Sequence, residues 1–292
     1  MRDIQFISVP FRAGASRNGV DSAPMVLCDK VGVSSINALE ENVFSHHETI
    51  EGVKCLYDVV AACKALRQVV AQTIEKGTPI VIGGDHSIAL GSVAGSLEHD
   101  ANLGVVWFDA HADINTERTS PSGNAHGMPV AALMGLCSSA LNDVATVRLK
   151  PQNMFWVGAR DLDPGEKETI ERLGIADHVY STEYIHQIGM QAVMQDIAAK
   201  MQKNGIKHWH LSFDIDGMDP ILVPATGVPV PNGMNQADVE TFIQSISLLQ
   251  ELQSMDFVEY NPLLDNAEQS TGKWCVDIIK RLLPSCRAAS VQ

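Results

Sequence analysis

A pattern repeated along the chain constrains its fold most: near-continuous apolar runs of strand length, each followed at once by carboxylates or histidine. "TPIVIGG" (78–84) leads into Asp85, His86 and Ser87. "LGVVWFDA" (103–110) carries Asp109 and leads to His111 and Asp113. "HWHLSF" (208–213) leads into Asp214 and Asp216. "NMFWVGAR" (153–160) is followed by Asp161, Asp163 and Glu166, and "SMDFVEY" (254–260) contains Glu259. "IQFISVPF" (4–11) is a further run of this kind. Between the runs lie stretches of helical periodicity, at 55–77, 187–203 and 236–252. Lys76 and Gly77 close the first of these, and Asn235 is a natural N-cap for the last, with Asp238 in its first turn. Such alternation predicts βαβ units in an α/β fold: a mostly parallel central sheet between two helical layers, a three-layer α/β/α arrangement. Parallel strands are buried on both faces, which is why they read as apolar throughout. No linker, repeat or composition break divides the 292 residues. One domain over 1–292 is therefore expected, with the small, polar 284–292 as a flexible tail.

In an open α/β sheet, ligands bind beyond the carboxyl ends of the strands. The residues after the runs are thus the expected site, and they are overwhelmingly acidic. Burying that much like charge without compensation would cost several kcal/mol per group, and Arg160 is the exception among strand ends that otherwise lack cations. A bound cation resolves the conflict. Alternate residues of an extended segment point the same way, so Asp109, His111 and Asp113 can converge on one point, as can Asp214 and Asp216 one strand over. With His86 the set holds two imidazoles and four carboxylates. Nitrogen and oxygen donors without thiolate suit Mn²⁺ or a similar divalent ion better than structural zinc. Two such ions would neutralise the four carboxylates, and a pair held ~3.5–4 Å apart can share a hydroxide as nucleophile. A single Asp or His after a strand is ordinarily a cap or turn residue, and Asp85 and Asp219 fit that description. Three matched segments do not.

Composition narrows the partners. A formal net charge of −14 argues against nucleic acid and anionic membrane surfaces. No run approaches the ~18 apolar residues of a membrane helix, and the N-terminus lacks a signal-peptide layout. The six cysteines, at 28, 55, 63, 137, 275 and 286, include no CxxC pair. They read as reduced thiols of a cytoplasmic protein rather than as disulfides or zinc ligands.

"GGDHS" (83–87), "DAHADINT" (109–116) and "SFDIDGMDP" (212–220), in this order and spacing, resemble the signature segments of the ureohydrolase family, the arginases, agmatinases and their relatives. "SVPFRAGASRNGVDSAPMVL" (8–27) and "VEYNPLLD" (258–265) extend the resemblance over nearly the whole chain. It implies a binuclear manganese centre, two Mn²⁺ per subunit, with Co²⁺ as a possible substitute. One ion would take His86, Asp109, Asp113 and Asp214; the other would take His111, Asp109, Asp214 and Asp216. It implies hydrolysis of a guanidino substrate by a hydroxide between the ions. Glu259 would orient the guanidinium, while Asp113 and His126 would handle protons. Family members are commonly trimers or hexamers, so a homotrimer or homohexamer is expected.

The loop "DINTERTSPSGNAHG" (113–127) bears on the substrate. Short hydrogen-bonding side chains can bind a carboxylate directly or through water, although Ser, Asn and Gly also simply make turns. "SGNAHG" and "RDLDPGE" (160–166) look like the arginase versions of their segments. By that resemblance Asn115, Ser120, Ser122 and Asn124 would hold an α-carboxylate. Asp163 would hold an α-ammonium, supported by Asp161 and Glu166. The substrate would then be L-arginine, and the products urea and L-ornithine. On its own, Asp163 beside Pro164 reads as a helix start. One departure stands out: "ATGVP" (225–229) puts Val228 where arginases usually have threonine, near the expected guanidinium site. Agmatinase, guanidinobutyrase and formimidoylglutamase remain alternatives within the family. A weakly active binding protein on the same fold, or a metal-dependent deacylase, lies further off.

Overall fold

The computed structural model describes residues 3–39 and 48–288. Strand β1 (Asp3–Val9) leads through helix α1 (Ala23–Val31) to the short β2 (Ser35–Asn37). A two-stranded antiparallel ribbon follows, β3 (Thr49–Ile50) and β4 (Val53–Lys54), then α2 (Leu56–Ile74), β5 (Gly77–Gly83) and α3 (Ala89–His99). Next come β6 (Gly104–Phe108), the short helices α4 (Pro129–Leu133) and α5 (Ser139–Asn142), β7 (Met154–Val157), α6 (Pro164–Leu173) and β8 (Val179–Tyr180). The chain closes with α7 (Thr182–Ile188), α8 (Met190–Lys203), β9 (His208–Asp214), α9 (Gln236–Ser245), β10 (Glu251–Val258) and α10 (Ser270–Ala288). Eight strands form one sheet in the order β2-β1-β5-β10-β9-β6-β7-β8, and every pairing between them is parallel. The last strand in sequence therefore lies in the middle of the sheet.

The strand side chains divide by alternation, as the pleat demands. Val81, Val105, Trp107 and Trp156 belong to the core shared with α2 and α3. Ile82, Val106, Phe108, Phe213 and Phe257 belong to the core shared with α8, α9 and α10. This gives the expected three layers. Two helical expectations need correction. The stretch at 187–203 is broken by Gly189, whose φ of 88° ends α7 and lets α8 set off anew. The stretch at 236–252 stops at Ser245, because Glu251 and Leu252 pair with His208 and Trp209 at the start of β9. Continuous apolar patterning hides such a switch from helix to strand. At the C-terminus the backbone is helical through Ala288, past the expected start of the tail at 284, and 289–292 lie outside the described residues. Among the described residues no helix is long and apolar enough to cross a membrane.

Two features of the sheet fix the ground on which the site stands. At the end of β5, Gly84 lies so close to β1's continuation that an added Cβ would overlap the Phe11 carbonyl. That carbonyl accepts the Asp85 N–H at 3.0 Å, while the Gly84 carbonyl accepts the Glu259 N–H at 2.9 Å. Deeper in the sheet, Asp256 of β10 stands beside Ser212 of β9 and is fully buried. It accepts the Ser212 hydroxyl at 2.6 Å, faces His210 Nε2 at 2.9 Å, and takes the Ser92 hydroxyl from α3. Burial raises its pKa, but the adjoining His210 ring and the hydroxyl donor outweigh that and hold the carboxyl below its ordinary range. Ser212, with its hydrogen committed to Asp256, presents its oxygen to His86 Nε2 at 2.8 Å.

Gly84→Ala should destabilise the protein by on the order of 3 kcal/mol in urea denaturation, the upper range of overpacking, since backbone rather than a flexible side chain must move. Asp256→Ala orphans three buried partners and should cost roughly 3–5 kcal/mol at pH 7. A depressed carboxyl stabilises the folded state above its unfolded pKa of about 3.9, and that contribution is lost as pH falls below it. The gap between wild type and variant should therefore narrow at pH 3; a constant gap would contradict the role given to the charge.

Candidate metal centre and substrate cavity

The three signature segments meet at the carboxyl ends of β5, β6 and β9. His86 opens a short 3-10 turn after β5, capped by Asp85, whose carboxylate accepts the N–H groups of Ser87 and Gly14, both at 2.9 Å. Burial, then the charge of Glu259, raises Asp85 to about 6. After β6, Asp109 spends Oδ1 on the His111 N–H (2.7 Å) and Oδ2 on the Trp107 indole (3.0 Å). After β9, Asp214 accepts the Asp216 N–H at 2.8 Å, and Asp216 accepts the Ala110 N–H at 3.1 Å. These backbone clamps fix each carboxylate's direction.

The result is two groups of donors, each converging closely enough to hold a metal ion: His86, Asp109 and Asp214 in one, and Asp109, His111 and Asp216 in the other. Asp109 belongs to both. Asp113 approaches the first group, with Oδ2 3.1 Å from His86 Nδ1. Asp214, expected to serve both ions, falls only in the first group.

His86 provides the test of whether a cation fits. Its ring is stacked on Trp107 with centroids 4.2 Å apart, and its Nε2 is engaged by Ser212. Because the Ser212 hydrogen goes to Asp256, the His86 hydrogen belongs on Nε2 and Nδ1 carries a lone pair. That buried Nδ1 has no hydrogen-bond partner among the described residues, yet carboxylate oxygens of Asp109, Asp113 and Asp214 lie 2.9, 3.1 and 3.1 Å away. A lone pair facing three anions is repulsive unless positive charge sits between them. His111 Nδ1 repeats the arrangement, 3.1 Å from Asp216 and 3.3 Å from Asp109. Burial disfavours charge on both rings, but the carboxylates around them overcome it and draw a proton on when nothing else supplies the charge. A hard nitrogen and oxygen donor set of this kind fits divalent ions.

A cavity opens over these groups, lined on its floor by His86, His111, Asp113, Asp214, Asp216 and Glu259. The rest of its lining includes Asn115, Ser120, Ser122, His126, Asp161, Asp163, Glu166 and Val228. Two of its carboxylates occupy left-handed backbone, Asp113 at φ 50° and Glu259 at φ 66°. Such strain persists only where the surroundings over-determine it. Glu259 Oε1 accepts the His86 N–H at 2.8 Å and lies 3.2 Å from His126 Nδ1. Burial would raise Glu259, but His126 keeps it low; conversely, desolvation of His126 is outweighed by Glu259, and its pKa rises to about 9.

The substrate segments are placed less uniformly than their sequence implies. Asn124 does not line the cavity; it is buried behind the loop, its Oδ1 accepting Ser16 Oγ and Lys54 Nζ, both at 2.9 Å. Asn115 commits its amide nitrogen to Asp163 at 2.8 Å, and its buried oxygen is unpaired among the described residues. Asp163 is indeed the N-cap of α6. Glu166 returns to the Asp163 N–H (2.9 Å) and also accepts the Ile114 N–H (3.1 Å), tying α6 to the metal loop. Burial, with Asp113 nearby, raises Glu166 to about 8. Asp161 is largely exposed, 4.0 Å from His111 Nε2. Val228 stands at the rim, 42% exposed. Arg160 turns away from the carboxylates and donates to backbone carbonyls, among them Asp216 (2.8 Å) and Val230 (2.7 Å). Sequence reasoning missed Trp107, Ser212 and Asp256. Trp107 and Ser212 each lie two residues before a metal-loop aspartate, the same period-2 signal that identified the ligands.

Comparison with known proteins identifies the family. A sequence model of the Arginase family matches residues 2–284. The arginase of Brevibacillus brevis is 38% identical over 293 residues, covering 95% of this chain and 96% of its own. The arginase of Bacillus subtilis is 36% identical, covering 97% and 98%. Among solved structures, Entamoeba histolytica arginase in complex with L-ornithine superposes with a TM-score of 0.87 at 34% identity, covering 96% of this chain and 98% of that one. The native arginase of Bacillus caldovelox gives 0.87 at 32% identity, covering 100% and 99%. With the family model matched over nearly its full length, this chain belongs to the arginase family.

Proposed function

We propose that this protein is a manganese-dependent arginase that hydrolyses L-arginine to L-ornithine and urea in the cytoplasm. A trimeric or hexameric assembly, expected from the resemblance, belongs to the same reading. The observation that carries it is the polarity of one cavity: convergent Asp and His donors with Glu259 at the floor, hydroxyls and further carboxylates at the rim. L-Arginine has the matching polarity, a guanidinium at one end and an α-carboxylate and α-ammonium at the other.

His86, Asp109, Asp113 and Asp214 would hold one ion, and His111, Asp109, Asp214 and Asp216 the other. Bound there, the ions supply positive charge and lower the pKa of a water molecule. Glu259, kept ionised by His126, accepts hydrogen bonds from the guanidinium and holds its carbon over the floor. His126, which Glu259 favours in its protonated form, is placed to deliver a proton to the departing amine. Asp113 takes part in the same transfer from the floor. At the rim, Ser120 Oγ accepts the Gly123 N–H (3.0 Å) and Ser122 Oγ accepts the Asn124 N–H (3.1 Å). The two hydroxyls also lie 3.5 Å from each other, so one can donate to its neighbour while the other turns its hydrogen to a carboxylate. Asp163, supported by Asp161 and Glu166, receives the ammonium, and Asn115 joins the carboxylate contacts.

The test is urea release by the Mn²⁺-loaded protein, with L-arginine and agmatine assayed side by side and bound metal counted. Preference for L-arginine with two ions per chain is expected; preference for agmatine would overturn the assignment of the rim. Glu259→Gln should lower kcat/KM on the order of 10²- to 10³-fold, the cost of removing one partner of a buried charged pair. Val228→Thr should lower KM by up to roughly tenfold, the worth of one added hydrogen bond.

A further inference from the structure

The ribbon β3–β4 stands apart from the central sheet, yet it is pressed against the loop that forms the cavity's rim. The Lys54 N–H donates to the Gly123 carbonyl at 2.9 Å. A Cβ on Gly123 would lie 2.7 Å from the Gly52 carbonyl, and one on Gly52 would lie 3.0 Å from the Glu117 carbonyl. Ribbon and loop thus meet backbone to backbone at two points. From this platform Lys54 Nζ reaches Asn124 Oδ1 at 2.9 Å, where Ser16 Oγ also donates. An ammonium can only donate, so the Asn124 side chain is held with its oxygen toward the ribbon. Residues 122–124 are thereby pinned from behind. The Asn124 N–H is the group that engages Ser122 Oγ, and the Gly123 N–H engages Ser120 Oγ.

We propose that Lys54 is a positioning residue for the carboxylate end of the substrate. It acts through Asn124 to hold the Ser120 and Ser122 hydroxyls in their donating arrangement, so it governs recognition of an α-carboxylate and leaves the guanidinium chemistry alone. The inference rests on the rim assignment made above, and it gives Asn124 a place behind the wall of the cavity. Two carbonyl-to-glycine contacts carry it, together with the amide oxygen that Lys54 reaches from 70 residues away in sequence.

The experiment compares wild type, Lys54→Met and Lys54→Arg, each loaded with Mn²⁺. Lys54→Met should raise KM for L-arginine about tenfold, the scale of one charged hydrogen bond, with kcat changed less than about twofold. The inhibition constant of agmatine, which has no carboxylate, should stay within about twofold, and Lys54→Arg should recover most of the lost KM. Amide hydrogen exchange across 115–124, measured on the same proteins, should quicken in Lys54→Met and not in Lys54→Arg. Loss of kcat, equal loss for both ligands, or unchanged exchange would overturn the proposal. Wild type without urea release from L-arginine would overturn the proposed activity instead, and the exchange measurement would still decide whether Lys54 holds the loop.

Discussion

Positive charge is the constraint on which the rest of this structure depends. Three strand ends deliver four aspartates and two histidines to one place, and their lone pairs are aimed at common points rather than at one another. Left to themselves such groups would turn toward water or toward each other. Here they stay fixed, with His86 Nδ1 2.9, 3.1 and 3.1 Å from three carboxylates, because backbone N–H groups hold Asp109, Asp214 and Asp216 from behind and because His86 is gripped between Trp107 and Ser212. The sheet supplies rigidity, and the electrostatic conflict it creates is the protein's affinity for cations.

That conflict spreads outward in ordered shells. Asp256 is a further buried carboxylate, but its hydrogen-bond needs are met within the protein by His210, Ser212 and Ser92. Its negative charge keeps the Ser212 hydrogen away from His86 and so leaves Nδ1 free on the metal side. Arg160, the cation nearest the centre on its strand end, is spent on carbonyls that anchor the 216–218 and 230–231 turns. It braces the loops around the site through those carbonyls, while its charge still interacts with Asp216 and Asp109.

Much of this was legible in the amino-acid sequence, for definite reasons. The long central strands declare themselves because burial on both faces makes them wholly apolar. The centre declares itself by residue type and by its place after apolar strands, but not by a pleat. The chain bends at 109–111, Asp113 takes a φ of 50° and a 3-10 turn spans Ile215–Gly217, so turns rather than extended alternation send His111 and Asp113 to different donor groups. The short strands β2, β3, β4 and β8 carry no such signature; two or three residues owe their conformation to the neighbour they pair with. The end of α9 was hidden because apolar residues suit both a helix face and a central strand. The sequence marks Asn124 as a hydrogen-bonding residue, but not whether it faces the cavity or the ribbon behind it. That choice is made by Lys54 and Ser16, which are distant in the chain.

The position of β10 carries a consequence for how the centre is held together. β6 and β9 are direct neighbours, so the group of Asp109, His111 and Asp216 needs nothing beyond strands made before residue 217. His86 stands on the far side of a gap that only β10, residues 251–258, fills. Without that strand the chain still holds His86, Asp109 and Asp214, but lacks the element that joins β5 to β9 and so sets His86 against the other two. The group of Asp109, His111 and Asp216 is thus held by one direct strand pairing, while the group that contains His86 is closed only through β10.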